Sequence, residues 1–298
     1  MMAAPRQPAL RGELRVNEPL QRYNTWRIGG AARQLYLPAD VDDLALFLQG
    51  LPAGEPLLWI GLGSNLLIRD GGFAGTVISL QGRLNARHVA GDRVHVEAGA
   101  SCAKVARECA RANLTGAAFL AGIPGTMGGA LAMNAGAFGG ETWPIVASVT
   151  TIDRNGTVRE RQPGEFRVGY REVVRPAEEW FIACELQLQR GDAAAEQAAI
   201  KALLERRAAT QPTGLPSCGS TFRNPAGDFA ARLIEASGLK GYRIGGAEVS
   251  PKHANFLINT GDATAADIEA LIAHVRDEVL RLHGIALQTE VHMVGDPL

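Results

Sequence analysis

Between Gly116 and Gly140 the chain carries no charge, eight glycines and one proline. Few sequence features restrict a fold as strongly. The stretch is long enough to cross a bilayer, but so many helix breakers argue against a lipid-facing helix. It reads instead as backbone built for close approach, since glycine removes the Cβ that would hold two surfaces apart. A second cluster, Gly61-Leu62-Gly63-Ser64-Asn65, follows Leu57 to Ile60, a short apolar run that reads as a buried strand.

A strand followed by a glycine turn suits anionic oxygens. Converging amides bind phosphate, and Ser64 and Asn65 add side-chain donors. The turn is not a Walker loop, because no Gly-Lys-Ser/Thr follows. It is not a GxGxxG dinucleotide turn either, because Leu66 holds the third glycine position. Either cluster alone reads equally well as a tightly packed turn. Two in one chain, both nearly uncharged, favour a large planar or pyrophosphate-bearing cofactor.

Charge narrows the partners. Thirty Lys+Arg against 31 Asp+Glu leave a net charge of -1, which gives no electrostatic case for nucleic acid or a membrane surface. A hydrophobic fraction of 46% excludes a disordered chain, and 298 residues suffice for about two domains. Arg6, Arg11, Glu13, Arg15 and Glu18 interrupt Met1 to Leu20, so no secretory signal core is visible. Cys102, Cys109, Cys184 and Cys218 lack CxxC spacing and no HExxH pair exists, so no metal site is expected. Scattered thiols fit a reducing, cytoplasmic setting.

Strands are expected over Thr76 to Leu80, Arg93 to Glu97 and Phe181 to Leu188, with a hairpin from Ile145 to Arg161 around Asn155-Gly156. Ser101 reads as the cap of a helix burying Val105, Ala106, Cys109 and Ala110. Glu196 to Ala209 reads as a helix with Ile200, Leu203 and Leu204 inward, and Phe229 to Ser237 as another stopped by Gly238. Phe256 to Ile258 is a short strand. Pro212, Gly214 and Pro216 mark a domain boundary. Thr264 and Asp267 form a capping box opening a helix with Ile268, Leu271, Ile272, Val275, Val279 and Leu282 on one stripe. A final strand puts Leu287, Thr289, Val291 and Met293 on one face, and Gln288, Glu290 and His292 on the other. Glu290 is then held by a rigid element.

Ser220 lies in Cys218-Gly219-Ser220-Thr221-Phe222-Arg223-Asn224-Pro225, where the glycine exposes its hydroxyl and Arg223 favours its deprotonation. No GxSxG elbow is present, which speaks against a hydrolase. By themselves, Arg171 in Gly169-Tyr170-Arg171 and His253 and Asn255 in Ser250-Pro251-Lys252-His253-Ala254-Asn255 are ambiguous.

Taken in order, these blocks are highly specific. Together with Asn24-Thr25-Trp26-Arg27-Ile28-Gly29-Gly30, Ile123-Pro124-Gly125-Thr126-Met127-Gly128-Gly129, Asn134-Ala135-Gly136-Ala137 and Glu290-Val291, they resemble the UDP-N-acetylenolpyruvoylglucosamine reductase family, flavoenzymes of bacterial peptidoglycan synthesis. The resemblance runs from Asn24 to Gly295. It implies an α+β chain: a vanillyl-alcohol-oxidase (PCMH)-type FAD-binding domain of two α+β subdomains, residues 1–82 and 83–209, followed by a smaller α+β substrate-binding domain, 210–298. The length matches the shorter second type, without a substrate-covering Tyr loop.

The resemblance further implies NADPH-dependent, FAD-mediated reduction of UDP-N-acetylglucosamine enolpyruvate to UDP-N-acetylmuramate, the FAD being non-covalent. Gly61, Leu62, Gly63, Ser64, Asn65 and Leu66 would hold its pyrophosphate. Asn24, Thr25, Gly122, Ile123, Pro124, Gly125, Gly128, Gly129, Asn134, Ala135, Gly136 and Ala137 would line the rest. Arg171, Ser220 and Glu290 match the catalytic positions, with Ser220 as proton donor and the other two stabilising an enolate. Tyr170, Arg223, Asn224 and His253 would meet the UDP-sugar. Two positions depart from the family pattern: Thr210 stands where many relatives have Lys, and Arg223 replaces a frequent Lys, which keeps the charge but changes its geometry.

Overall fold

The computed structural model describes residues 9–176 and 178–298. Residues 1–8, part of the amino-terminal stretch discussed above, lie outside the described residues.

Three bodies of sheet and helix succeed one another along the chain. In the first, Glu13–Pro19 pairs antiparallel with Ala31–Leu37, which continues in parallel to Phe73–Ser79 and then Leu57–Ile60. The helix Val41–Gln49 covers this sheet through Leu44, Phe47 and Leu48. Asp40 starts it by accepting the Asp43 N–H at 2.9 Å. The turn Gly61 to Asn65 follows Leu57–Ile60, as the apolar run implied.

The second body is a five-stranded antiparallel sheet, ordered Val158–Arg161, Val146–Asp153, Glu179–Gln187, Arg93–Glu97, Arg87–Ala90. The Asn155-Gly156 hairpin forms its first pair, with Gly156 at φ 75. Helices Cys102–Arg111, Met127–Met133 and Ala193–Thr210 close its core. The uncharged glycine stretch belongs wholly to this body. Ser101 precedes its helix without a side-chain hydrogen bond, so the helix rests on its buried face of Cys102, Val105, Ala106, Cys109 and Ala110 rather than on a cap. In Ala193–Thr210 only Ile200 is buried; Leu203 and Leu204 are half-buried.

The third body has the antiparallel strands Arg243–Ile244, Ala247–Val249 and Leu257–Asn259 with helices Ala230–Ala236 and Ala265–His283. The Thr264–Asp267 capping box is present, and Gly284 ends the helix at φ 68. Leu282 departs from the expected stripe and is 46% exposed, in the last turn before Gly284 ends the helix. Trp26, Ile28 and Leu67 from the amino-terminal region complete this core. The Trp26 indole N–H donates to the Leu257 carbonyl at 2.9 Å, and Asn259 Nδ2 donates back to the Trp26 carbonyl at 2.9 Å.

The expected final strand is shorter than its alternation suggested. Only His292–Val294 forms regular sheet, parallel to Leu66–Ile68. Glu290 lies just before it, between an isolated Phe222–Thr289 bridge and this pairing. Its rigidity comes from backbone bonds on either side, not from a strand.

Candidate active site

Separate stretches of chain meet at Glu290. Its backbone N–H donates to the Thr221 carbonyl at 2.8 Å. Its carbonyl accepts from Asn65 Nδ2 at 3.0 Å. Its carboxylate Oε1 stands 3.3 Å from Arg171 Nε. The Arg223 N–H donates to the Gln288 carbonyl at 2.9 Å, one register step away. The glycine turn, the Ser220 segment and the Arg171 hairpin are therefore all tied to one carboxyl-bearing residue. Burial pushes that carboxyl above the ordinary carboxylate range, against the opposing pull of Arg171 and Arg223.

Arg171 occupies the tip of an exposed hairpin, Arg167–Gly169 paired with Glu172–Val174. It holds φ 55, a left-handed conformation that a non-glycine residue adopts at some energetic cost. Its guanidinium explains why it stays there. Nη2 donates to the Gly136 carbonyl at 2.9 Å and Nη1 reaches the Asn134 carbonyl at 3.5 Å. Asn134, itself left-handed at φ 41, donates to Glu141 Oε2 at 3.0 Å and to the Gly169 carbonyl at 3.1 Å. Its Oδ1 accepts the Trp143 N–H at 3.1 Å. The second glycine segment thus fastens both the hairpin and the arginine at its tip.

Two guanidinium groups face this spot. Arg223 Nη2 donates to the Arg171 carbonyl at 3.3 Å. The Nε of Arg223 is buried with no hydrogen-bond partner, and the buried Nε of Arg171 has only the 3.3 Å pairing with Glu290. Buried unpaired donors are rare in folded chains, and two guanidinium groups beside a carboxyl suit an anionic ligand.

The glycines divide between packing and open space. A Cβ at Gly63 would lie 2.6 Å from the Asn24 Cα, and one at Gly128 2.9 Å from the Ala98 Cβ. One at Gly122 would meet the Phe138 ring at 2.5 Å, and Gly61 and Gly136 are similarly blocked by Thr126 and Gly140. These five let chain meet chain. At Gly125 the nearest atom would be Ser64 Oγ at 3.5 Å, and at Gly129 Thr126 Oγ1 at 3.8 Å. These two leave a face that a ligand can occupy, and they bring the two glycine clusters opposite each other. The adjoining Leu62, Ser64, Asn65, Leu66, Ala135 and Ala137 are half-buried, Ile123 is buried and Pro124 is exposed. The Thr25 N–H donates to the Gly63 carbonyl at 3.3 Å, while the Asn24 amide closes its own loop on the carbonyls of Leu20 and Ile28. An uncharged, backbone-rich cradle of this kind fits a dinucleotide-sized cofactor.

Other expected residues sit less directly. Ser220 is half-buried beside Gly219, which adopts φ 80 with open space around it. Tyr170 is 50% exposed, its ring 5.4 Å from the Arg171 guanidinium carbon. Asn224 Oδ1 accepts the Ala230 N–H at 3.1 Å and so opens the helix Ala230–Ala236. His253 packs edge-on against Phe256 with its Nδ1 unpartnered, and burial pushes its pKa down. Among the described residues, neither Asn224 nor His253 bonds to the Glu290 cluster.

Sequence reasoning did not single out Glu141, and it left Asn255 ambiguous. Glu141 anchors Asn134; its signal was being the first charged residue after the glycine stretch. Asn255 clamps the backbone beyond Ser220; its signal was an amide placed immediately before a buried strand.

Comparison with known proteins agrees with this geometry. Residues 32–161 match the FAD binding domain family. Residues 211–294 match the family described as UDP-N-acetylenolpyruvoylglucosamine reductase, C-terminal domain. The UDP-N-acetylenolpyruvoylglucosamine reductase of Alkalilimnicola ehrlichii is 62% identical, with 99% of each chain covered. That of Methylococcus capsulatus is 59% identical over 96% of this chain and 94% of its own. The crystal structure of the Thermus caldophilus enzyme superposes with a TM-score of 0.82 at 31% identity, covering 95% of this chain and 98% of that one. A cofactor cradle of two opposed glycine clusters, a buried carboxyl between two arginines and full-length similarity at this level lead to one conclusion: the chain belongs to the UDP-N-acetylenolpyruvoylglucosamine reductase family.

Proposed function

We propose that this chain reduces the enolpyruvyl ether of UDP-N-acetylglucosamine enolpyruvate to UDP-N-acetylmuramate, with FAD bound non-covalently and NADPH as reductant. The observation that carries the reading is the cluster of Arg171, Arg223 and Glu290 beside the Ser220 segment, with the buried Nε–H of Arg223 unpartnered. The three bodies of the fold accord with two FAD-binding subdomains, 1–82 and 83–209, and a substrate domain, 210–298, although Trp26, Ile28 and Leu67 are shared with the last core. No described helix is long and apolar enough to cross a membrane. Four unpaired thiols and a nucleotide-sugar substrate are consistent with work in the cytoplasm.

The reaction adds a hydride to the terminal methylene and a proton to the α-carbon, while NADPH becomes NADP+ and one proton is taken from solvent. The Gly61 to Leu66 turn and the faces of Gly125 and Gly129 would hold FAD, which would supply the hydride. The remaining task is control of charge. Negative charge gathers on the α-carbon and its adjacent carboxylate. Arg171, fixed by the Gly136 carbonyl and paired with Glu290, sets its guanidinium charge against that negative charge, and such preorganised donors contribute on the order of 3 kcal/mol each. Burial raises the Glu290 carboxyl toward its protonated form, and in that form it donates to the same carboxylate. The Ser220 hydroxyl gives its proton to the α-carbon and recovers one from water. Serine is a weak acid, so the step depends on an oriented hydroxyl and on the positive field of the two arginines.

The test is anaerobic. Yellow protein is reduced with NADPH, freed of excess and mixed with UDP-N-acetylglucosamine enolpyruvate. Prompt flavin reoxidation with one equivalent of UDP-N-acetylmuramate supports the proposal. Reduced flavin that persists overturns it.

A further inference from the structure

We infer that Asn255 is a positioning residue for the proton-donating step, acting through the backbone that carries Ser220; the inference rests on the reading of Ser220 as proton donor. Asn255 is 3% exposed and faces no solvent or substrate. Its side chain engages both polar groups of one peptide residue. Oδ1 accepts the Phe222 N–H at 2.9 Å, and Nδ2 donates to the Phe222 carbonyl at 2.8 Å. Its own carbonyl accepts the Thr221 N–H at 2.8 Å. The Thr221 carbonyl in turn accepts the Glu290 N–H at 2.8 Å. The segment after Ser220 is thus held between Asn255 on one side and Glu290 on the other.

Before Ser220, the Pro216 carbonyl accepts the Asn259 N–H at 3.0 Å and Cys218 is buried in the core, which leaves Gly219 as the link to Ser220. Gly219 sits at φ 80, and a Cβ there would touch nothing within 4 Å. Ser220 therefore lies between a glycine and the clamped segment, and the clamp orients the backbone from which its hydroxyl projects. The base of the clamp is itself rigid. Ser250 Oγ accepts the N–H groups of Lys252 and His253, and the Ser250 N–H donates to the Phe256 carbonyl at 2.8 Å. A shift of about 1 Å at a reacting group reduces a rate on the order of 100-fold, so losing the clamp affects the proton step and not the reduction of flavin.

Two variants test this, each followed in both half-reactions with flavin content and a thermal melt recorded. Asn255→Ala keeps reduction by NADPH within about twofold of wild type and slows reoxidation by UDP-N-acetylglucosamine enolpyruvate roughly 10–100-fold. Its solvent deuterium isotope effect on reoxidation rises, because proton transfer becomes the slow step. Asn255→Asp distinguishes positioning from filling space. An ionised Asp faces the Phe222 carbonyl with a second acceptor, whereas a protonated one restores both bonds. The ratio of its reoxidation rate to wild type therefore climbs as pH falls; the ratio removes the contributions of Glu290, Arg223 and His253, which neighbour the segment. Equal slowing of both half-reactions, an unchanged reoxidation rate, or a ratio flat with pH overturns the inference. Wild-type protein that is reduced but never reoxidised overturns the functional reading, and this inference with it.

Discussion

Arg171 Nε and Glu290 Oε1 stand 3.3 Å apart, with side-chain exposures of 21% and 16%. An ion pair this buried does not lower the carboxyl pKa; desolvation outweighs the attraction of Arg171 and Arg223, and the carboxyl is raised. The folded state then binds this proton more tightly than the unfolded one. Stability is greatest below the ordinary carboxylate pKa and declines as pH rises through the raised value.

Replacing Glu290 with Gln removes that penalty. Thermal melts of flavin-free Glu290→Gln are expected above wild type at pH 8, with the gap closing toward pH 4. Each unit of upward shift corresponds to about 1.4 kcal/mol. A variant less stable than wild type at pH 8 would show that Arg171 prevails over burial.

The two kinds of glycine separate by substitution. Gly128→Ala puts a methyl group 2.9 Å from the Ala98 Cβ and is expected to destabilise the fold by about 1–3 kcal/mol. Gly129→Ala, one residue on in the same helix, meets nothing closer than 3.8 Å. It should leave the melt of flavin-free protein unchanged or slightly higher while weakening FAD retention. Chemical denaturation and flavin titration of the two variants give the comparison.

All four thiols are buried. Burial pushes Cys102 and Cys109 up to about 12 and raises Cys184 and Cys218 as well. Native protein at pH 8 is expected to react with a thiol reagent only on unfolding, releasing four equivalents together.

Much of the local structure was legible because it is decided within a few residues. The Thr264–Asp267 capping box, the Asn155-Gly156 hairpin and the strand before Gly61 each depend on neighbours in sequence. Errors arose where distant packing decides. Leu282 fits the helical stripe but is exposed in the helix's last turn, and Ser101 has a capping residue's identity without the bond. Glu290 alternates correctly yet lies outside regular strand, because its segment must bridge Phe222 on one side and Asn65 on the other.

The site was legible as a set of motifs but not as an arrangement. Spacing indicated that Gly61 to Asn65 suits an anion. Nothing local links Arg171 to the Gly136 carbonyl, 35 residues earlier, or Asn65 to Glu290, 225 residues later. Those contacts are properties of three folded bodies meeting, and they carry the electrostatics of the site.

The proposed function divides labour within the site: the cofactor cradle serves reduction by NADPH, and Ser220 with Arg171 serves the substrate. Stopped-flow absorbance of Ser220→Ala and Arg171→Ala in the two half-reactions tests it most directly. We predict flavin reduction near the wild-type rate in both. Reoxidation by UDP-N-acetylglucosamine enolpyruvate should fall roughly 100- to 10,000-fold for Ser220→Ala and about 100- to 1,000-fold for Arg171→Ala. Equal slowing of both half-reactions, or reoxidation at the wild-type rate, would contradict the account.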